Sequence, residues 1–142
     1  MCGILGFNWQ DEQLAKSLAK LLKHRGPDDS GVYTSDKVSL GHTRLSIIDL
    51  SKKGKQPVHN LGKDLWITFN GEIFNFPEIK KELELKGYEF KSKTDTEVLL
   101  LGYQEWGYKV LDKLNGQFAF CIYDKKKNKL FLARDRIGIN PL

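Results

Sequence analysis

The sequence predicts an α+β fold in which most of the sheet is antiparallel. Strand-like segments outnumber helical ones, and they fall into hairpin-like pairs without the regular βαβ alternation of a parallel sheet. The chain has 142 residues, of which 40% are hydrophobic and 29% charged, as is ordinary for one soluble globular domain. We therefore expect a single domain over residues 1–142.

The first half of the chain is predicted to contain one helix between strands. Residues 11–23 have the apolar spacing of an amphipathic helix, with four leucines expected on its buried face: Leu14, Leu18, Leu21 and Leu22. A loop signal follows at residues 25–28, and residues 51–60 read as a polar loop. Three strand-like runs have apolar residues bounded by turn-forming ones: 3–8, 31–34 and 38–48.

The second half is predicted to hold two helices and three strands. The first helix covers residues 76–86, with Asn75 as a candidate cap and Pro77 in its first turn. The second covers residues 95–106 and begins with the capping-box spacing of Thr94 and Glu97. The strands are 64–69, which should end at an Asn-Gly pair, and the hairpin strands 117–123 and 129–133.

Composition excludes several classes of protein. The net charge of +5 comes mainly from short lysine clusters in apparent turns or on one helix face, so solvated loops explain it better than a nucleic-acid surface. No apolar run reaches the ~20 residues of a membrane span, and the N-terminal residues do not have the pattern expected of a signal peptide. Two distant cysteines form neither a disulfide framework nor a zinc site, so we expect a cytoplasmic protein without a metal site. From the charge pattern and the absence of a long apolar run, we also expect no nucleic-acid partner and no membrane partner.

Cys2 is the residue with the most specific chemistry. Removal of Met1 would make it the N-terminus and would place a thiol nucleophile and an α-amine on one residue. An α-amine titrates near about 7.7–8.0 and can therefore accept a proton at neutral pH. The alternative is a small buried residue at the start of a strand.

Five other residues are functional candidates, and all of them except Glu72 also have a structural interpretation. Asn70 and Gly71 could donate hydrogen bonds to an oxyanion, or could form a hairpin turn. Arg44 could bind a substrate carboxylate, or could point to solvent. Asp95 could bind an ammonium group, or could stabilise a helix N-terminus. Glu72 has no evident structural role.

These motifs together resemble the glutaminase domain of class II glutamine amidotransferases, and more narrowly that of glutamine-hydrolysing asparagine synthetases. The matching segments run nearly from end to end: Cys2-Gly3-Ile4, residues 24–28, 41–50, 69–75, 94–97, 114–120 and 133–138. Arg-Gly-Pro-Asp at 25–28 resembles the asparagine-synthetase form of the motif, whereas relatives that act on other acceptors have different residues there.

The resemblance implies a role for each candidate. Cys2 would attack the side-chain amide of glutamine, and Asn70 with the Gly71 amide would bind the oxyanion. Arg44 would bind the α-carboxylate of glutamine, and Asp95 and Glu72 its α-amino group. Four further residues would line the glutamine pocket: Leu45, Ser46, Ile47 and Ile48. Arg25 and Asn75 would support the loop of the nucleophile.

The resemblance also implies a fold and a partner. The fold would be the N-terminal nucleophile hydrolase fold, an αββα four-layer sandwich, here C-terminally incomplete because the family's domain has further strands. Ammonia would pass to a C-terminal synthetase domain that uses ATP and Mg²⁺ to make asparagine from aspartate, whereas the glutaminase domain itself would need no cofactor. A homodimer stays open, as do two other functions: a sister amidotransferase with a different acceptor, and a non-catalytic binding module that keeps the fold.

Overall fold

The computed structural model describes residues 1–47 and 51–142. The strands are β1 (Gly3–Phe7), β2 (Asp29–Thr34), β3 (Ser39–Arg44), β4 (Val58–His59), β5 (Leu65–Ile73), β6 (Gly116–Asp124) and β7 (Lys129–Arg134). The α-helices are α1 (Glu12–Leu21), α2 (Phe76–Leu85) and α3 (Asp95–Trp106). Short 3₁₀ turns cover Leu22–His24, Lys52–Gly54 and Gly107–Lys113.

The strands form two antiparallel sheets. One has the order β1-β3-β2 and the other the order β4-β5-β6-β7. Strands β6 and β7 are joined by the predicted hairpin, whose turn places Asn128 at a φ of 50°. The prediction of an α+β fold with antiparallel sheets is therefore confirmed.

The two sheets face each other between layers of helix. Successive side chains of a strand point to opposite faces. In β3, His42 contacts the carbonyl of Phe69 in the second sheet, whereas Thr43 donates to the carbonyl of Leu22 at the end of α1. In β5, Thr68 donates to Gly41 of the first sheet, and Phe69 packs into the cluster that includes α2 and α3. The layer order is thus helix, sheet, sheet, helix.

The main hydrophobic core lies between the second sheet and the helices α2 and α3. Its members are buried residues of β5, β6 and both helices, among them Ile67, Leu83, Leu99, Leu100, Phe120 and Ile122. A smaller core lies between the sheets and contains Val38, Leu40, Cys121 and Tyr123. Tyr33 stacks on Trp66 at its edge, with ring centroids 3.7 Å apart.

The face that α1 buries differs from the prediction. Leu14 and Leu21 are 37% and 72% exposed, whereas Ala15 and Ala19 are buried at 0% and 5% exposure. The small alanines let the helix lie close to the first sheet, where a Cβ atom on Gly3 would lie 3.0 Å from Cβ of Leu22. The prediction that four leucines form the buried face was therefore wrong for two of them, Leu14 and Leu21.

Strand β5 also differs from the prediction, since it does not end at the Asn-Gly pair. It continues to Ile73, and within it Asn70 pairs with Ala119 and Gly71 with Phe118. The hairpin-turn alternative for Asn70-Gly71 is therefore wrong. Strand β3 ends at Arg44, earlier than predicted. No helix within the described residues combines the length and the apolar character needed to cross a membrane.

Candidate active site

A cavity of about 130 Å³ lies where the start of β1, the end of β3 and the middle of β5 meet the N-terminus of α3. Most of the residues singled out from the sequence line it: Cys2, Arg44, Leu45, Ile47, Asn70, Gly71, Glu72 and Asp95. Residues far apart in the chain are thus brought together by the pairing of β1 with β3 and by the packing of the two sheets.

Cys2 lies directly before β1 and is half-buried. Its Sγ accepts a hydrogen bond from the backbone N–H of Leu45 at 3.4 Å and lies 3.8 Å from the Leu45 carbonyl, to which it donates. Nε of Arg25 donates to the Cys2 carbonyl at 3.0 Å. The thiol is therefore held against the segment that follows β3, at the edge of the cavity.

Asn70 and Gly71 occupy the middle of β5, on the wall opposite the first sheet. Asn70 is 2% exposed, and its Nδ2 donates to Oδ1 of Asn140 at 3.1 Å. Gly71 has a φ of +150°, and a Cβ atom there would lie 2.2 Å from the carbonyl oxygen of Gln117. Only glycine fits this position, because β5 and β6 approach too closely for a side chain.

Arg44, the last residue of β3, is 7% exposed, so the solvent-facing alternative is wrong. Its Nη1 donates to the carbonyl of Ser51 at 2.8 Å. Gly54 lies beside the guanidinium, where a Cβ atom would be 2.2 Å from Nη2 and 3.2 Å from Cγ2 of Thr94. The loop between the sheets therefore packs its backbone on the cation and positions it at the cavity.

Asp95, the first residue of α3, is 4% exposed, and its Oδ2 accepts a hydrogen bond from the N–H of Ile73 at 3.0 Å. Burial raises the pKa of the Asp95 carboxyl to about 6; the Ile73 hydrogen bond opposes this shift, and the nearby charge of Glu72 adds to it. Glu72 itself is exposed at the mouth of the cavity. A cation beside Asp95 would favour its ionised form.

Gln56 is a wall residue that the sequence did not reveal. It is 6% exposed, its Oε1 accepts from the N–H of Phe69 at 2.7 Å, and its Nε2 donates to Oγ1 of Thr96 at 3.3 Å. It thereby joins the loop before β4 to both β5 and α3. No periodicity or motif singles out one glutamine in a polar loop, so only the tertiary structure identifies it.

Several predicted residues lie outside the cavity wall. The N–H of Ser46 donates to Oδ2 of Asp28 at 2.7 Å, and Arg25 supports the backbone of Cys2 from behind. Asn75 precedes α2 but does not cap it with its side chain; it bonds the carbonyl of Lys113 and the N–H of Asn115. Ile48 lies outside the described residues.

The cavity can hold a small molecule that carries both charges. It offers a guanidinium, a buried carboxylate and an amide donor beside a thiol, a set that matches a zwitterionic amino acid with a reactive carbonyl group. Within residues 1–47 and 51–142 there is no cluster of three or more His, Cys, Asp or Glu side chains able to hold a metal ion.

Comparison with known proteins identifies the family to which the chain belongs. The glutamine amidotransferase domain family matches residues 1–142, which is the whole chain. The chain belongs to that family. The amidotransferase domain is 43% identical to glutamine-hydrolyzing asparagine synthetase 1 of Bacillus subtilis (strain 168) and 42% identical to asparagine synthetase B of Escherichia coli (strain K12). Both alignments cover 100% of the chain, which spans only 24% and 26% of the lengths of these relatives.

The fold of this glutamine amidotransferase domain is also found in a solved structure. Glutamine phosphoribosylpyrophosphate amidotransferase from B. subtilis, complexed with ADP and GMP, superposes with a TM-score of 0.76 at 22% identity. The match covers 99% of this chain and 38% of that protein. The predicted resemblance and the N-terminal nucleophile hydrolase fold are therefore both confirmed.

Proposed function

We propose that this amidotransferase domain hydrolyses L-glutamine to glutamate and ammonia through a thioester on Cys2. The observation that carries the proposal is that one cavity holds the thiol, the Asn70-Gly71 pair, the Arg44 guanidinium and the Asp95 carboxylate. Each group is common on its own, whereas the set provides a nucleophile, oxyanion donors and binding groups for both ends of an amino acid.

The chemistry begins at Cys2. Its Sγ attacks the side-chain amide carbon of glutamine, and its own α-amine accepts the thiol proton. The oxyanion that forms is bound by Nδ2 of Asn70 and the N–H of Gly71, donors of a kind worth about 2.7–4 kcal/mol each. The amine then protonates the leaving nitrogen, and ammonia departs. Water, deprotonated by the same amine, hydrolyses the thioester and releases glutamate.

The mechanism depends on the removal of Met1. While Met1 is attached, the nitrogen of Cys2 is an amide and has no basicity to offer. Met1 is 52% exposed and lines the cavity, so it is accessible to an aminopeptidase and also occupies space at the mouth of the site.

Substrate binding uses the charged residues of the wall. Arg44 binds the α-carboxylate of glutamine, and Asp95, with Glu72 at the cavity mouth, binds the α-ammonium group. Leu45 and Ile47 contact the substrate from the loop after β3. We propose that Ser46 belongs to the same loop, that Arg25 supports the nucleophile from behind, and that Asn75 holds the segment before β6 through Lys113 and Asn115. A role for Ile48 in the pocket stays a prediction from the sequence.

The wider role that we propose is to supply ammonia for asparagine synthesis. Identity of 39–43% to several proteins named asparagine synthetases supports an aspartate acceptor over the acceptors of sister amidotransferases. The partner would be a synthetase domain that activates aspartate with ATP and Mg²⁺. Absence of a cofactor in the glutaminase domain, a homodimer and a cytoplasmic location stay predictions.

Intact mass spectrometry with a diazo-ketone analogue of glutamine tests the proposal. We expect loss of Met1 and one covalent adduct on Cys2, with no adduct and no glutamate release in Cys2→Ala. Cys121→Ala is the matched control and should keep both, because Cys121 is 7% exposed and burial raises its pKa to about 12. Glutamate release by Cys2→Ala would refute the nucleophile, and full activity with Met1 retained would refute the α-amine as base.

A further inference from the structure

The turn that follows β7 is organised around one carboxylate. Oδ1 of Asp135 accepts hydrogen bonds from the N–H groups of Gly138 at 2.6 Å and Ile139 at 2.9 Å. Its Oδ2 accepts from the N–H groups of Phe118 and Asn140, both at 3.2 Å. Asp135 is 6% exposed, and these bonds, led by that of Ile139, lower the pKa of its carboxyl to about 2. The carboxylate is therefore ionised throughout the neutral range.

Asn140 connects this turn to the active site. It is 0% exposed, its N–H is held by Asp135, and its Oδ1 accepts the hydrogen bond from Nδ2 of Asn70 at 3.1 Å. A side-chain amide can be turned by 180°, which exchanges its oxygen and its nitrogen. With Oδ1 of Asn140 as the acceptor, Asn70 presents its NH₂ group, while Nδ2 of Asn140 is buried without a hydrogen-bond partner among the described residues. One N–H then bonds Asn140, and the second remains for a ligand.

The same carboxylate also fixes the strand beside Gly71. Asp135 bonds Phe118 through both its side chain and its backbone, since its own N–H donates to the Phe118 carbonyl at 2.8 Å. Phe118 is the register partner of Gly71, and a Cβ atom on Gly71 would lie 2.6 Å from its Cα. The backbone at Gly71 and the side chain of Asn70 are thus located by one turn.

We propose that Asn140 is a positioning residue that holds the Asn70 amide with its nitrogen as the oxyanion donor, and that Asp135 holds Asn140 in place. The inference rests on the proposed function, because it needs Asn70 to bind an oxyanion. The oxyanion exists only after attack on the amide. Loss of Asn140 should therefore lower kcat and leave the KM for glutamine nearly unchanged.

A double-mutant cycle on the full chain tests this role. Asn70→Ala should reduce kcat about 10²–10³-fold, as for the loss of one oxyanion donor. Asn140→Ala should reduce kcat at least about tenfold, and Asn140→Leu, which fills the same space without an acceptor, should do the same. The Asn70→Ala/Asn140→Ala double variant should be no slower than Asn70→Ala, because the second change acts only through the first side chain.

Arg134→Met is the matched control for a loosened turn. Nη2 of Arg134 donates to the carbonyl of Gly138 at 2.6 Å, so it supports the same turn through a residue other than Asp135 and Asn140. We expect kcat within about twofold of the unmodified protein. A normal kcat in Asn140→Leu, or a further tenfold loss in the double variant, would overturn the inference alone. A normal kcat in Asn70→Ala would instead refute the oxyanion role in the proposed function, and the inference with it.

Discussion

A Cβ atom on Gly54 would lie 2.2 Å from Nη2 of Arg44, so the guanidinium packs directly on the backbone of the loop between the sheets. Gly54→Ala should displace Arg44 and weaken its contact with the substrate carboxylate. A charge-assisted hydrogen bond is worth about 1.5–3 kcal/mol, so the KM for glutamine should rise about 10- to 100-fold with little change in kcat. Steady-state kinetics measures both quantities.

Gly62→Ala is the control for this change. Gly62 lies in the turn between β4 and β5, where a Cβ atom would meet only the end of the Asp64 side chain, at 2.9 Å. Its KM should equal that of the unmodified protein. If Gly54→Ala behaves in the same way, Arg44 does not bind the substrate carboxylate.

Asp95→Asn should separate stability from binding. Because burial raises the pKa of Asp95 to about 6 from its ordinary value of 3.8, the folded state is destabilised by its charge as the pH rises through this window. At pH 8 the free energy of unfolding of Asp95→Asn should be roughly 2–3 kcal/mol higher than that of the unmodified protein. Its KM should nevertheless increase strongly, because a neutral amide replaces the partner of the ammonium group.

The pH dependence of KM provides the second measurement on Asp95. In the unmodified protein KM should rise as the pH falls through about 6, because protonation removes the carboxylate. In Asp95→Asn this rise should be absent. A KM that responds to pH in the same way in both proteins would contradict the role of Asp95 in binding the ammonium group.

Gly71→Ala tests the close approach of β5 and β6. The substitution combines a φ of +150° with a Cβ position 2.2 Å from the Gln117 carbonyl oxygen. We expect urea unfolding to show that the free energy of unfolding falls by more than about 3 kcal/mol. Gly107→Ala, at a φ of +59° with open space around the Cβ, should lose only about 1 kcal/mol. Equal losses in the two variants would show that the strands can separate to admit a methyl group.

His42 should make stability depend on pH in the opposite direction to Asp95. Burial lowers the pKa of His42 to about 4, so the folded state keeps it neutral while the unfolded chain binds a proton below about 6.5. The contribution of neutral His42 to the free energy of unfolding is therefore complete above pH 6.5. It is lost as the pH falls toward 4, which lowers the free energy of unfolding by on the order of 3 kcal/mol.

His42→Gln keeps a donor toward the Phe69 carbonyl and removes the titration. The unfolding free energy of the unmodified protein should fall more between pH 7 and pH 5 than that of the variant. Asp95 is the same in both proteins, so the difference reports His42 alone. Parallel pH profiles would show that His42 is protonated equally in both states.

The sequence predicted the elements whose signals are local. Helix α3 begins at Asp95 as expected because Oγ1 of Thr94 accepts the N–H of Glu97 at 3.3 Å. The Glu97 carboxylate does not complete a capping box, and instead accepts from the N–H groups of Lys91 and Ser92. Most of the candidate residues line the cavity, but each was ambiguous from its residue type alone, and the family resemblance singled out the set.

The errors of sequence analysis came from tertiary packing. Asn70-Gly71 continues a strand although it has the composition of a turn, because β6 supplies partners on its far side. Gly54, Gln56 and Asn140 act through contacts with residues distant in the chain, and no local pattern distinguishes them from ordinary loop residues. Such positions become visible only when the two sheets are placed together.

The thiol and the amide donors belong to different sheets, since Cys2 precedes β1 whereas Asn70 lies in β5. Hydrogen bonds join the sheets beside the site, among them the one from Thr68 to Gly41 at 3.0 Å and the one between His42 and Phe69 at 3.1 Å. The distance from the Cys2 sulfur to the amide carbon of a glutamine bound at Asn70 therefore depends on the spacing between the two sheets. If the domain hydrolyses glutamine as proposed, a small shift between the sheets should abolish turnover before the chain unfolds. Turnover should then report a disturbance of the contacts between the sheets more sensitively than thermal unfolding does.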